Sequence, residues 1–292
     1  MSLPILIDTP HSSGHAPFHI LAEMLAEGVY DYEKRQERLN HLFKQGDPLT
    51  DEIFFIPNAH IVNATVSRFV VDLNRMRDTG GMNGVIKITD FDAKSLYCEG
   101  FKFTKEMLEE RLARYYDPYH ASLDRIIAKN EILYFISAHA MSPNGPLIGP
   151  DVGTKRPALS FITNGKSNAE AKSTKEHISV PASLAQNLAE VLYKNFKDII
   201  KDSDVPDEVL INDPFNNAGV AKRLSDPKNP NSIPGFGLEL NQNLYLDQHP
   251  SKVIPIKNRV KELNKRMQSF MLDIIPLFEA IKTNSKNPHS RF

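Results

Sequence analysis

The run ILYFISA at residues 132–138, continued by His139-Ala140-Met141, decides the fold. It carries no charge over its first seven residues. A helical pattern precedes it, and a stretch rich in proline and glycine (142–157) follows it. A short continuous apolar run between such neighbours reads as a central strand buried on both faces. Strands of this kind belong to sheets covered by helices on both sides.

Outward from this strand, short β-type runs alternate with helical patterns. Ile5–Asp8, Ala59–Val66, Phe69–Leu73, ALSFIT (158–163), EVLIND (208–213) and GFGLELN (235–241) read as strands. Residues 17–27, 30–43 and 181–200 read as helices. In the last of these, Leu184, Leu188, Leu192 and Phe196 fall in phase. Thr104 is the expected N-cap of a long amphipathic helix reaching residue 130, which Pro118 should kink or interrupt. Residues 252–283 read as helical with a break at Pro276, and 283–292 as a loose tail. The sequence shows no internal repeat and no linker. The expectation is one α/β domain over residues 1–292, a three-layer αβα arrangement around a mixed, mostly parallel sheet.

Composition narrows the function. The chain has 292 residues, with 41% hydrophobic, 24% charged and a formal net charge of −1. That balance fits a soluble globular protein and supplies no global field for nucleic acid or an anionic membrane. Cys98 is the only cysteine, so any metal must be held by histidine and carboxylate rather than by a thiolate cluster. No secretory leader and no apolar stretch of about 20 residues is legible, which predicts a cytoplasmic protein without a membrane partner.

Several polar residues lie where strands of such a sheet end, which is where α/β folds build their sites. His11 and His15 follow the first strand in TPHSSGHAPF (9–18). His11 reads either as a metal ligand supported by Ser12 or His15, or as a satisfied turn histidine. His139 closes the central strand as a ligand or as a cap on a backbone carbonyl. Asp47, in GDPLTDEIF (46–54), has the ordinary look of a helix N-cap. Glu239 sits inside an apolar strand, where a carboxylate is costly unless it is paired or coordinating; alternation could instead turn it to solvent. In SRFVVDLNR (67–75), Arg68, Asn74 and Arg75 are suited to gripping a carboxylate, or are surface groups paired with Asp72. No Gly-x-Ser-x-Gly elbow occurs, so the serine-hydrolase reading has no anchor, and GPDVGTK (149–155) lacks the order of a phosphate-binding loop.

Taken in order, DTPHSSGHAP, GDPLTDEIF, SRFVVDLNR, RLARYYDPYH, SAHAM, NDPF and LELNQNLY resemble the N-formylglutamate amidohydrolase family over roughly residues 5 to 246. The resemblance implies a fold similar to that of zinc carboxypeptidases. It also implies one Zn2+ per chain held by His11, Asp47 and His139, with Glu33 and Glu37 as neighbouring alternatives to Asp47. Glu239 would be the general base, and Arg68 would help polarise the scissile carbonyl or hold a second acid group. Asn74 and Arg75 would hold the substrate's carboxylate, and Arg111 is a further candidate for substrate contact. The implied substrate is a small N-acyl amino acid, N-formylglutamate in the simplest case. A peptidoglycan-like or other peptide amide and a non-catalytic carboxylate-binding protein are the alternatives. The chain departs from the family's usual pattern at Ala140, where serine is usual, at Ser137, where aspartate is common, and at Asn216-Asn217-Ala218-Gly219, where a glycine pair is usual.

Overall fold

A computed structural model describes residues 2–81 and 84–285, without the side chains of residues 284 and 285. Tyr134–Ala138 of ILYFISA lie in the strand β3 (Tyr134–Met141), every residue of which is buried, and Ile132 and Leu133 lead into it. It is flanked by β1 (Ile5–Thr9) and β6 (Gly235–Asn241), both parallel to it. With β2 (His60–Asn63), β4 (Leu159–Ile162) and β5 (Val209–Ile211) the sheet has six strands in the order β2-β1-β3-β6-β4-β5. β4 runs antiparallel to β6, and β5 follows β4, so the sheet is mixed and mostly parallel as expected.

Alternation along β1 and β3 divides two cores. Ile5, Ile7, Ile136 and Ala138 point to one face. There they meet α6 (Ala182–Lys201), α8 (Arg259–Asp273) and α9 (Ile275–Ser285) through residues such as Leu188, Phe196 and Phe270. Leu6 and Phe135 point to the other face, among Ile20, Leu21, Leu112, Leu123 and Val220. These come from α1 (Phe18–Leu25), the long helix after Thr104, and α7 (Gly219–Leu224). Burial on both faces explains why β3 is continuously apolar rather than alternating. Among the described residues, no helix is long and apolar enough to cross a membrane.

Three local expectations are corrected. Phe69–Leu73 is a turn-rich segment and not a strand. Val70 N–H bonds back to Ser67 O, and Asp72 N–H to Val85 O, so the backbone is satisfied without a ladder. Phe69, Val70, Val71, Asp72 and Leu73 are all buried, and their β-branched character reflects packing rather than extension. Residues 252–258 are not helical: Ile254–Pro255 pairs with Leu246–Asp247, and α8 starts only at Arg259. At the end of the chain, α9 continues through residue 285, so the expected loose tail is helical there, and 286–292 lie outside the described residues.

The helix after Thr104 begins as expected, with Thr104 Oγ1 accepting from Met107 N–H at 3.3 Å. It runs as α4 (Lys105–Arg111) and α5 (Asp117–Lys129), joined by a π-helical turn over Leu112–Tyr116. Pro118 has no N–H for the carbonyl four residues back, and its ring crowds that carbonyl. The widened turn just before it accommodates both effects.

On α5, His120 is buried against Tyr116 and donates to or accepts from its surroundings only through Nε2, 3.1 Å from Leu73 O. Burial, with the charge of Arg223, pushes its pKa down to about 4. The unfolded chain therefore binds a proton near pH 6.5 that the folded chain refuses, so stability falls as pH drops below about 6.5. The loss between pH 7 and pH 5 should be about 2 kcal/mol from this group. Denaturant midpoints of wild type and His120→Gln at both pH values check this: the variant is expected to lose that much less on acidification.

Candidate functional site

β1, β3 and β6 are adjacent and parallel, so their carboxyl ends open on one side. His11 follows β1 by two residues, while His139 and Glu239 lie in β3 and β6. His139 and Glu239 are register partners and therefore project from the same face, with Ser160 of the antiparallel β4 opposite Glu239. That face is the one bearing Leu6 and Phe135, so Glu239 points into the structure, and it is 8% exposed. The alternation that could have sent it to solvent instead puts Leu238 and Leu240 into the opposite core.

Asp47 arrives from the loop between α2 (Tyr32–Lys44) and α3 (Thr50–Ile53). This loop is tied to the first one: Asp47 N–H donates to His11 O at 3.1 Å. A side chain at Gly46 would place its Cβ 3.0 Å from that carbonyl, so glycine permits the approach. Leu49 takes a left-handed φ of 65° and starts α3, and Thr50 Oγ1 donates to Asp47 O at 2.8 Å. The helix start is thus built around Asp47 without using its carboxylate as a cap.

The carboxylate instead meets both histidines. Asp47 Oδ2 is 3.2 Å from His11 Nδ1 and 2.8 Å from His139 Nδ1, and the ring centroids are 4.8 Å apart. One ligating atom from each of the three residues lies within 4.8 Å of the others, and all three residues are buried. Burial would raise the Asp47 carboxyl, but the two histidines beside it hold it well below the usual carboxylate range. Glu33 and Glu37, the alternatives to Asp47, are exposed on α2.

The tautomer of His11 is set from behind. Its Nε2 is 2.7 Å from Asp72 Oδ1, an acceptor, so Nε2 carries the proton and the Nδ1 lone pair faces the group. Two imidazoles offering Nδ1 and one carboxylate are the donors that catalytic zinc sites use while keeping a position open. The residues therefore fit such a cation. Asp72 was not singled out by the sequence reading, yet it organises this side of the site. Its other oxygen accepts from Arg68 at 3.0 Å and faces Lys87 Nζ at 3.2 Å. Although buried, it is kept ionised chiefly by Arg68 and His11. With a zinc ion held by this group, Asp72→Asn would weaken its binding by about 10–100-fold, measured by competition with a chelating indicator.

Arg68 also stands 3.6 Å from Asp47 Oδ1, its guanidinium 4.8 Å over the Phe91 ring. Glu239 makes no hydrogen bond or ion pair among the described residues. Burial, reinforced by the charge of Asp47 and opposed by His139, Arg156 and Arg68, pushes its pKa up to about 7. Arg156, unremarked in the sequence, is held by Asp151 through two bonds of 2.7 and 2.8 Å and lies over Phe215.

The remaining sequence candidates have other surroundings. Asn74 Nδ2 is 3.1 Å from His139 Nε2, and its Oδ1 accepts from Val220 N–H at 2.9 Å. Its Oδ1 is therefore engaged by the α7 backbone, while its amide nitrogen faces the imidazole. Arg75, half-buried, donates to Asn74 O at 3.0 Å and lies close enough to Asp72 for their charges to interact. Arg111 is not brought to this group. It is buried between the Tyr97 and Phe103 rings and bonds Glu23, Val70 O and, at 2.8 Å, Tyr97 Oη. His15 is exposed, and Ser12 Oγ bonds Thr9 rather than a histidine.

Comparisons with known proteins bear on the family and the fold. The sequence pattern of the family described as N-formylglutamate amidohydrolase matches residues 3–246. An N-formylglutamate deformylase of Pseudomonas putida is 28% identical over 137 residues, 42% of this chain and 45% of that protein. The chain thus aligns with less than half the length of this curated relative. Among solved structures, an N-formylglutamate amidohydrolase from Ralstonia eutropha JMP134 superposes with a TM-score of 0.65 at 16% identity, over 96% of this chain and 95% of that one. The gene product Atu2144 of Agrobacterium tumefaciens gives 0.56 at 16% identity, over 93% and 91%. At such identities the two structures speak for the fold.

Proposed function

This chain belongs to the N-formylglutamate amidohydrolase family, and from that premise we propose that it hydrolyses the amide of an N-formyl amino acid such as N-formylglutamate, using one Zn2+ held by His11, Asp47 and His139. The observation that supports this reading most is the convergence of the three ligating groups beside Glu239, a buried carboxyl whose pKa is raised to about 7.

The reaction adds water across the C–N bond, giving formate and the free amino acid. Zinc bound at these ligands supplies Lewis acidity toward the amide carbonyl and toward water. Glu239 accepts the proton of the attacking water and delivers it to the leaving nitrogen, a task suited to a buried carboxyl without an ion-pair partner among the described residues. The Arg68 guanidinium, already aimed between Asp47 and Asp72, stabilises the negative charge that develops on the carbonyl oxygen. Arg75, with the Arg68–Lys87 cluster behind it, is the proposed partner of the substrate's carboxylate. Asn74 holds the α7 backbone through its Oδ1 instead of the substrate, and Arg111 has no assigned substrate role.

The test is hydrolysis of N-formyl-L-glutamate by the purified chain, with formate and glutamate both measured. One formate per glutamate, dependent on zinc, is the expected result. Intact substrate after prolonged incubation with the zinc-loaded chain would refute the reading.

A further inference from the structure

We infer that Asp8 is a positioning residue for His139, acting through the Ser137 hydroxyl. This rests on the reading of His139 as a metal ligand through Nδ1.

An imidazole that ligates through Nδ1 carries its proton on Nε2 and must donate it. Two groups face His139 Nε2: Ser137 Oγ at 3.2 Å and Asn74 Nδ2 at 3.1 Å. The Asn74 carbonyl oxygen already accepts from Val220 N–H, so the atom that Asn74 turns to the imidazole is the amide nitrogen, a donor. That leaves Ser137 Oγ as the acceptor. A hydroxyl that accepts from Nε2 must send its own proton elsewhere.

The receiver is on the next strand. Asp8 and Ser137 are register partners across β1 and β3, so both project from the face that carries His139. Asp8 is 1% exposed. Its Oδ2 accepts from Tyr119 Oη at 2.8 Å, while Oδ1 has no hydrogen-bond partner. A buried carboxylate oxygen without a donor is expensive, and a serine hydroxyl released beside it removes that cost. No basic side chain among the described residues forms an ion pair with Asp8. Burial raises the Asp8 pKa, and the groups that oppose the rise are His139, the Tyr119 and Ser137 hydroxyls and His11. The chain Tyr119–Asp8–Ser137–His139 thus selects the Nε2–H tautomer and leaves Nδ1 free for the cation. Without it, Asn74 would favour the opposite tautomer, with Nδ1–H donating to Asp47.

The experiment is competition titration of Zn2+ against a chelating indicator, on the full chain. It compares wild type, Asp8→Ala, Ser137→Ala, the double variant, and Asp8→Ala combined with Ser137→Asp. Each single variant is expected to bind zinc about tenfold or more weakly. The double variant should bind no worse than the weaker single, because both break one chain. Ser137→Asp should restore affinity in the Asp8→Ala background by placing a carboxylate directly against Nε2. Melting of the metal-free variants separates folding from binding, and Asp8→Leu replaces Asp8→Ala if the latter does not fold. Zinc affinity within twofold of wild type in the Asp8 variant, or losses that multiply in the double variant, would overturn the inference and leave the metal centre standing. Absence of zinc binding by wild type would overturn both.

Discussion

Glu239→Gln is expected to lower kcat for N-formylglutamate by about 10²–10⁴-fold while leaving zinc stoichiometry unchanged. The substitution is isosteric and removes only the ability to take a proton. Glu239 pairs with His139 across β3 and β6 yet is not among the three converging ligands, so the metal should stay bound. Folding should not suffer, since a neutral amide is easier to bury than the carboxylate it replaces. The same residue sets a pH limb. Its pKa is raised to about 7, so below that pH the carboxyl holds a proton and cannot act as a base. A cation at the adjacent ligands lowers this value. The profile of kcat/KM should therefore fall about tenfold per pH unit on its acid side, with a midpoint no higher than about 7. Unchanged kcat in Glu239→Gln would remove Glu239 from the chemistry.

His139→Ala is expected to abolish both zinc retention and hydrolysis. In the proposed centre the side chain contributes one of three ligands, and its loss leaves one imidazole and one carboxylate, fewer protein donors than a catalytic zinc site uses. It also leaves Asp47 with a single histidine in a buried site, where an incompletely paired carboxylate is costly. Metal analysis by mass spectrometry after dialysis checks the first effect and formate release the second. Retention of a full equivalent of zinc by the variant would move the centre away from these residues.

Much of the fold was legible because burial writes itself into periodicity. ILYFISA read as a strand covered on both faces and its Tyr134–Ala138 belong to one, and GFGLELN put a glutamate inside an apolar strand, where it is paired, coordinating or turned to solvent. His11 and His139 were visible for a related reason: one follows β1 by two residues and the other closes the apolar run inside its parallel neighbour β3. Phe69–Leu73 misled because β-branched and aromatic residues signal burial as much as extension. In this segment turns and the Val85 carbonyl satisfy the backbone. Asp72 was hidden inside that misread segment. Its bond to His11 spans 61 positions, a separation that no local pattern reports. Asp47 looked like a cap because its loop really does start a helix, though through backbone and Thr50 rather than through its carboxylate. Arg111 was the reverse case, an arginine of the right kind whose partners, Tyr97 and Glu23, lie elsewhere in the chain and draw it into a core.

Zinc titration of metal-stripped protein, followed by formate release from N-formyl-L-glutamate, tests the central claim most directly. Activity should be absent without metal, rise linearly with added zinc and level off at one equivalent per chain. Hydrolysis that survives complete stripping, or that never appears at any zinc level, would contradict a catalytic centre built on His11, Asp47 and His139.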